Sequence, residues 1–238
     1  ACGSTAMNNE DYVLSFTPAQ DMQINVVLSN TSIQTGSIVP LANIGLFITD
    51  LCPNDPMANC VASVDDALSN PAINDVNLTS GTTYYIIISS ANTFLGDETN
   101  VDFDIEITKN ADDDIAITSI EGFISDCGLT TLTIGCYIEN LGLNDASGFN
   151  VSYSLDGGPL QTTTFVGTIT AGTSQYFEFT TLADVSTIGS HSIEVSADLT
   201  GDENLANNIL TQTIVNMPTY STFPNSEDFE SGDGYWST

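Results

Sequence analysis

The sequence predicts an all-β protein: two tandem β-sandwiches followed by the start of a third β domain. Apolar and polar residues alternate with a period of two through most apolar stretches. No stretch repeats at i, i+3, i+4 for long enough to build a helix of any size. Clusters of Gly, Pro, Asn and Asp separate the alternating runs at short intervals.

Taken in order, "DYVLSF" sets Tyr12, Leu14 and Phe16 on one face of a first strand. "MQINVVLS", "IGLFITD", "TTYYIIISS" and "VDFDIEIT" continue the pattern, with "TPAQD", "CPNDP" and "LTSG" as the turns between them. The run "TYYIIISS" is apolar on both faces, which suits a central strand covered on both sides. These elements make a first domain over residues 1–110, and "NADDD" reads as the linker that closes it. Seven strands follow over 111–217: "IAITSIEGF", "LTIGCYIEN", "FNVSYSL", "QTTTFVGTI", "SQYFEF", "HSIEVSADL" and "NILTQTIV". Seven short strands in about 105 residues is the arithmetic of an immunoglobulin-like sandwich. The Cys, Trp, Cys core of antibody domains is missing, so the likeness is one of architecture. Residues 218–238 carry a new aromatic and acidic pattern and the only Trp, and read as a linker and the first strand of a truncated jelly-roll domain.

Composition narrows the function. Thirty-one acids stand against a single Lys109, with no Arg, for a formal charge of -30. Such a surface repels nucleic-acid phosphates and anionic membranes, so neither is an expected partner. High ionic strength screens the self-repulsion, because the Debye length falls to roughly 3 Å at 1 M salt, which suits a saline habitat. With 41% hydrophobic residues in strand-like runs, the charge does not imply disorder. No stretch approaches the roughly 20 apolar residues that span a bilayer. Without an initiator Met or a leader pattern, the chain reads as a segment of something longer.

Five cysteines (Cys2, Cys52, Cys60, Cys127 and Cys136) include no CxxC pair and no Cys/His cluster, which argues against zinc. Cys52 and Cys60 flank "PNDPMAN", and a bridge between them would stabilise the fold by roughly 2.5 kcal/mol. Cys127–Cys136 is the second pairing. Against it, Cys136 shares a face with Leu132, Ile134 and Ile138, so a buried free thiol is its alternative. Disulfides of this kind imply an extracellular, oxidising setting.

Three family likenesses rest on these strands. Residues 11–108, through "DYVLSF", "IGLFITDLCPNDPMANC" and "LTSGTTYYIIIS", resemble the bacterial pre-peptidase C-terminal domain, a jelly-roll-like β-sandwich appended to secreted proteins. Residues 112–216, through "DCGLTTLTIGCYIENLG", "VSYSLDGG" and "GSHSIEVSADLTGDENLANN", resemble the cell-adhesion-related (CARDB-type) immunoglobulin-like domain. The tail "FPNSEDFESGDGYW" is similar to the start of a jelly-roll domain. The combination resembles large secreted surface adhesins of gliding, marine-type bacteria. It implies a non-enzymatic stalk, adhesin or extracellular fibre module at the cell surface. Its partners would be other domains of the same polypeptide, further copies in a fibre, or glycan and surface ligands. The alternatives are an accessory region of a secreted peptidase or other hydrolase, and a carbohydrate-binding module.

The residues offer little catalytic chemistry. His191 is the only histidine, and no Gly-x-Ser-x-Gly elbow supplies a Ser for it to activate. Calcium is the sharper expectation, because it prefers six to eight hard oxygen ligands. In an immunoglobulin-like sandwich the start of the first strand, the loop between the second and third strands, and the last hairpin lie at one end. Here these supply Asp112, Asp113 and Asp114, then Asn144 and Asp145, then Asp202, Glu203 and Asn204. The alternative is a solvated acidic hinge. Tyr84 and Tyr85 are a weaker expectation, as a platform for stacking sugars.

Overall fold

In the computed structural model the described residues are 11–34, 42–66, 70–92, 100–122 and 124–219. Among them every regular element is a strand. The chain divides into two units, Ala1–Asn110 and Ala111–Thr238. The expected truncated domain falls almost wholly outside the described residues.

Ile, Val and Leu at alternate positions draw the first unit into strands with one greasy face. These are β1 (Asp11–Phe16), β2 (Met22–Gln34), β3 (Ala42–Thr49), β4 (Cys60–Asp66), β5 (Ala72–Leu78), β6 (Tyr84–Asn92) and β7 (Asn100–Lys109). They pair antiparallel in two sheets, ordered β1-β6-β3-β4 and β5-β2-β7. Ile24, Val26 and Leu28 of β2 meet Ile44, Leu46 and Ile48 of β3 and Ile86 and Ile88 of β6 in one core. Ile87 and Phe47, on the opposite faces of β6 and β3, are also fully buried. The central strand is therefore covered on both sides, as its unbroken apolar run requires.

The second unit holds β8 (Ile115–Glu121), β9 (Asp126–Cys127), β10 (Thr131–Leu132), β11 (Gly135–Asn140), β12 (Ala146–Ser147) and β13 (Asn150–Leu155). It continues with β14 (Gln161–Thr164), β15 (Thr168–Ile169), β16 (Ser174–Glu178), β17 (Ala183–Asp184), β18 (Gly189–Asp198) and β19 (Ile209–Met217). A three-stranded sheet, β16-β11-β8, and a five-stranded sheet, β14-β13-β18-β19-β9, supply the two layers. Their core joins Ile115, Ile117, Ile134, Ile138, Val151, Ile193 and Val195. In place of a disulfide and a Trp, a run of rings crosses this core. Phe149 stacks on Phe165 at 4.9 Å, Phe165 meets Phe177, Phe177 meets Phe179 edge-on, and Phe179 meets Tyr153 edge-on. Such pairs add roughly 0.5–1.5 kcal/mol each beyond the area they bury.

Both expected disulfides are overturned, because Cys52, Cys127 and Cys136 are free thiols. The β3–β4 register sets Thr49 opposite Cys60, which leaves Cys52 out in the connecting loop. Asp50 closes that loop instead: its carboxylate accepts from the Asn59 N–H at 2.9 Å and from Asn59 Nδ2 at 2.8 Å. These bonds hold the Asp50 carboxyl below its usual range. Cys60 is engaged with a residue other than these three. Cys127 and Cys136 lie on different sheets, the first exposed on β9 and the second fully buried on β11. Burial pushes the Cys136 thiol up to about 12, so almost no reactive thiolate forms at neutral pH. Alkylation of the native protein followed by peptide mapping should label Cys52 and Cys127, and Cys136 only after unfolding. Native labelling of Cys136 at a comparable rate would contradict its burial.

Candidate functional site

The acidic loops of the second unit meet as hydrogen-bonded partners. Asp112–Asp114 lead into β8, residues 141–145 follow β11, and residues 199–208 join β18 to β19. The Glu203 N–H donates to Asp113 O at 2.9 Å, and Glu203 Oε1 accepts from the Asp112 N–H at 2.9 Å. Asp202 divides its carboxylate between the Ile115 N–H at 3.0 Å and the Asn204 N–H at 2.8 Å. From the other side, Leu141 and Gly142 donate to Asp114 O, while Leu143 and Asn144 donate to Asp112 O. Asn144 Nδ2 reaches Asp113 Oδ1, Asn207 Nδ2 reaches Asp114 Oδ1, and Asp145 Oδ1 takes the Ala171 N–H.

The eight residues expected to bind calcium lie in loops that the fold brings together, and carboxylate oxygens of Asp113, Asp114, Asp145, Asp202 and Glu203 accept from N–H groups. Charge-assisted bonds of this kind are worth roughly 1.5–3 kcal/mol where they are shielded from water. Among the described residues no three of His, Cys, Asp or Glu form a group that could hold a metal ion. The arrangement is a clasp: two loops grip the segment leading into β8 from either side. Gly142 is part of the fit, since a Cβ there would lie 2.7 Å from both Asp112 O and the Asp114 nitrogen. Two acceptors at this end, Asn207 Oδ1 and Asn208 Oδ1, are buried without a partner.

His191, only 5% exposed, sits at the start of β18 on the core-facing side with Ile193 and Val195. Nδ1 lies 2.8 Å from Asp156 Oδ2 and Nε2 lies 2.7 Å from Thr187 O. A carbonyl and an ionised carboxylate can only accept, so this pair of partners favours the imidazolium, which donates at both nitrogens. The Asp156 bond first, then the Thr187 carbonyl, raise its pKa above 6.5 against the opposing effect of burial, with Asp184 adding attraction. The His191 bond, aided by the Ser192 N–H, lowers the Asp156 carboxyl below 3.8. Both ring nitrogens are engaged by acceptors, and no Ser hydroxyl is among these partners.

The raised His191 value contributes stability fully below about pH 6.5, and that contribution is lost as pH rises through the folded value. The lowered Asp156 value contributes above about pH 3.8 and is lost as pH falls through the folded value. Urea unfolding should therefore show wild type exceeding His191→Gln most between these limits, with the margin narrowing as pH rises through the folded value. A margin that does not change with pH would contradict the charged pair.

Sequence reasoning missed Asn216, 1% exposed near the end of β19. Its Nδ2 reaches the carbonyls of Leu129, Val185, Ser186 and Thr187, and its Oδ1 accepts from the Leu129 N–H. No pattern of charge or spacing marks it, because a polar residue at an inward strand position looks like any strand end. The sequence also did not single out the cross-strand pair Tyr137 and Tyr176, each over two-fifths exposed, with ring centroids 5.4 Å apart. Tyr84 is no sugar platform: it is buried, and its hydroxyl oxygen accepts from the Thr79 N–H. Two open concavities of this unit, of about 280 and 560 Å³, are not lined by His191.

Fold and site together define a class: an immunoglobulin-like sandwich whose polar groups are directed at one another. Residues 112–212 match CARDB, a non-catalytic immunoglobulin-like domain family. No curated protein matches the chain. Among solved structures, the CARDB domain of a Pyrococcus furiosus protein is similar at 16% identity and a TM-score of 0.37, over 44% of this chain and 95% of that one. A GH2 beta-galacturonidase from Eisenbergiella tayi is similar at 10% identity and a TM-score of 0.32, over 87% of this chain. Red sea bream transglutaminase is similar at 9% identity and a TM-score of 0.35, over 91% of this chain. The chain spans 35% and 30% of the lengths of those two enzymes, and neither likeness bears on what this chain does.

Proposed function

We propose that the chain is a non-enzymatic segment of a large secreted bacterial surface protein, working as a stalk, adhesin or fibre module outside the cell. Its partners are then neighbouring domains of the same polypeptide and, at the surface, further copies or glycans. The observation that carries this reading is the clasp, because it fastens the segment by which tension would enter the second unit. The match of residues 112–212 to an adhesion-related family supports it. Before β8 can peel away, the bonds at Asp112, Asp113, Asp114 and Ile115 must break.

Pulling the whole chain by its ends in single-molecule force spectroscopy tests the proposal. The second unit should open in one step, gaining on the order of 35 nm at roughly 3.4 Å per residue. Asp202→Ala should lower the force of that step. Extension of wild type without a discrete step would remove the reading.

A second reading, carbohydrate binding, is favoured by the half-exposed Tyr137–Tyr176 pair, where Tyr176 Oη donates to Glu178 Oε2 at 3.1 Å. On a glycan array, binding that is lost in Tyr137→Ala would support it. A blank array would end it.

A further inference from the structure

Edge strands expose backbone N–H and C=O groups that can pair with another chain, and proteins guard them with charge, Pro or bulges. Among the described residues, every edge strand of four or more residues except one includes an acid. These are β1 with Asp11, β4 with Asp65, β5 with Asp75, β7 with Asp102, β8 with Glu121 and β16 with Glu178. The exception is β14, Gln161–Thr164, at the edge of the five-stranded sheet. From Gly157 to Phe177 no side chain is charged, in a chain of net charge -30. Its ladder with β13 runs without a register shift, and its three Thr are exposed, β-branched strand formers. Just beyond the strand's two ends, Leu160 is 60% and Val166 is 92% exposed.

We infer that the β14 edge pairs antiparallel with the β14 edge of a second copy of this chain, joining two five-stranded sheets across a two-fold axis at Thr163. That register sets Leu160 of each copy opposite Val166 of the other, so both exposed apolar side chains gain a partner twice. Charge selects this occupant. A basic partner finds no acid within this strand, whereas a like-charged copy can approach at the one edge strand of four or more residues that carries none. The pairing is short, so it belongs with the small, transient interfaces. Because the rest of both copies repel, salt must strengthen it, the reverse of an interface held by ion pairs. The inference stands whether or not the chain serves as a stalk.

Sedimentation equilibrium of the whole chain from about 0.05 to about 1 M NaCl tests it, since the Debye length shrinks several-fold over that range. The expected result is a monomer–dimer equilibrium whose dissociation constant falls by roughly tenfold or more, as screening removes the repulsion. Hydrogen exchange should show the added protection at residues 160–166. Thr163→Glu, at an exposed position, should keep the monomer's circular dichroism and abolish the dimer. A monomer at all salts, a dimer protected at another edge, or a dimer untouched by Thr163→Glu would each overturn the inference.

Discussion

Replacing Asn216 with alanine should lower the unfolding free energy of the second unit by about 3 kcal/mol, from the cost of orphaned buried polar groups. The amide ties together four carbonyls, from Leu129 and from Val185 to Thr187, with the shortest bond 2.9 Å to Val185 O. Its oxygen also takes the Leu129 N–H at 2.9 Å. Truncation leaves these groups in a place that water reaches poorly, at roughly 1–3 kcal/mol for each one left unpaired. Thr187 O is the exception, because His191 Nε2 still donates to it. Asn216→Asp should destabilise further, since it sets a carboxylate against carbonyl oxygens and loses the donor. Urea unfolding monitored by circular dichroism measures both. A loss below about 1 kcal/mol for Asn216→Ala would mean the carbonyls find other donors.

Gly142→Ala should be the next most damaging change, at about 2 kcal/mol, in the range of overpacked sites. The problem is space: the new methyl would lie 2.7 Å from Asp112 O and the Asp114 nitrogen, and 3.0 Å from Asp113 Cα. All are backbone atoms, so relief requires the 141–144 loop to move away from the segment it grips. That movement would weaken the bonds from Leu141, Gly142, Leu143 and Asn144 as a group. Gly172→Ala is the contrasting case, because a Cβ there meets nothing within 4 Å and only its φ of +69° opposes the change. The left-handed conformation costs roughly 1–2 kcal/mol in a non-Gly residue, and the clasp stays intact. Amide spectra should therefore shift around residues 112–115 in Gly142→Ala and not in Gly172→Ala.

The strands with clear alternation were legible because i, i+2 spacing is forced by the pleat: Ile134, Cys136 and Ile138 point inward while Tyr137 points out. The sequence reading did not single out β4 and β5. The meeting of Asp112–Asp114, Asn144 and Asp202–Asn204 was legible too, as a consequence of sandwich topology. The hydrogen bonds those oxygens make were not. Composition cannot tell a carboxylate that awaits a cation from one that caps the Ile115 N–H, since the difference lies in backbone direction. The buried free thiol at Cys136 was legible from its strand face, but the Cys52–Cys60 pairing was not, for a similar reason. Spacing brought Cys52 near Cys60, but the register opposite Thr49 left that loop to Asp50 and Asn59. His191 was readable as a structural residue from its face on the strand. Its bond to Asp156, 35 positions away, needed the fold.

Native-state amide hydrogen exchange at Asp112, Ile115 and Glu203 tests the central claim, that the acidic end is a closed hydrogen-bonded clasp. All three N–H groups should be strongly protected, and Asp202→Ala should release Ile115 first. Exchange at free-peptide rates in the wild-type protein would contradict it.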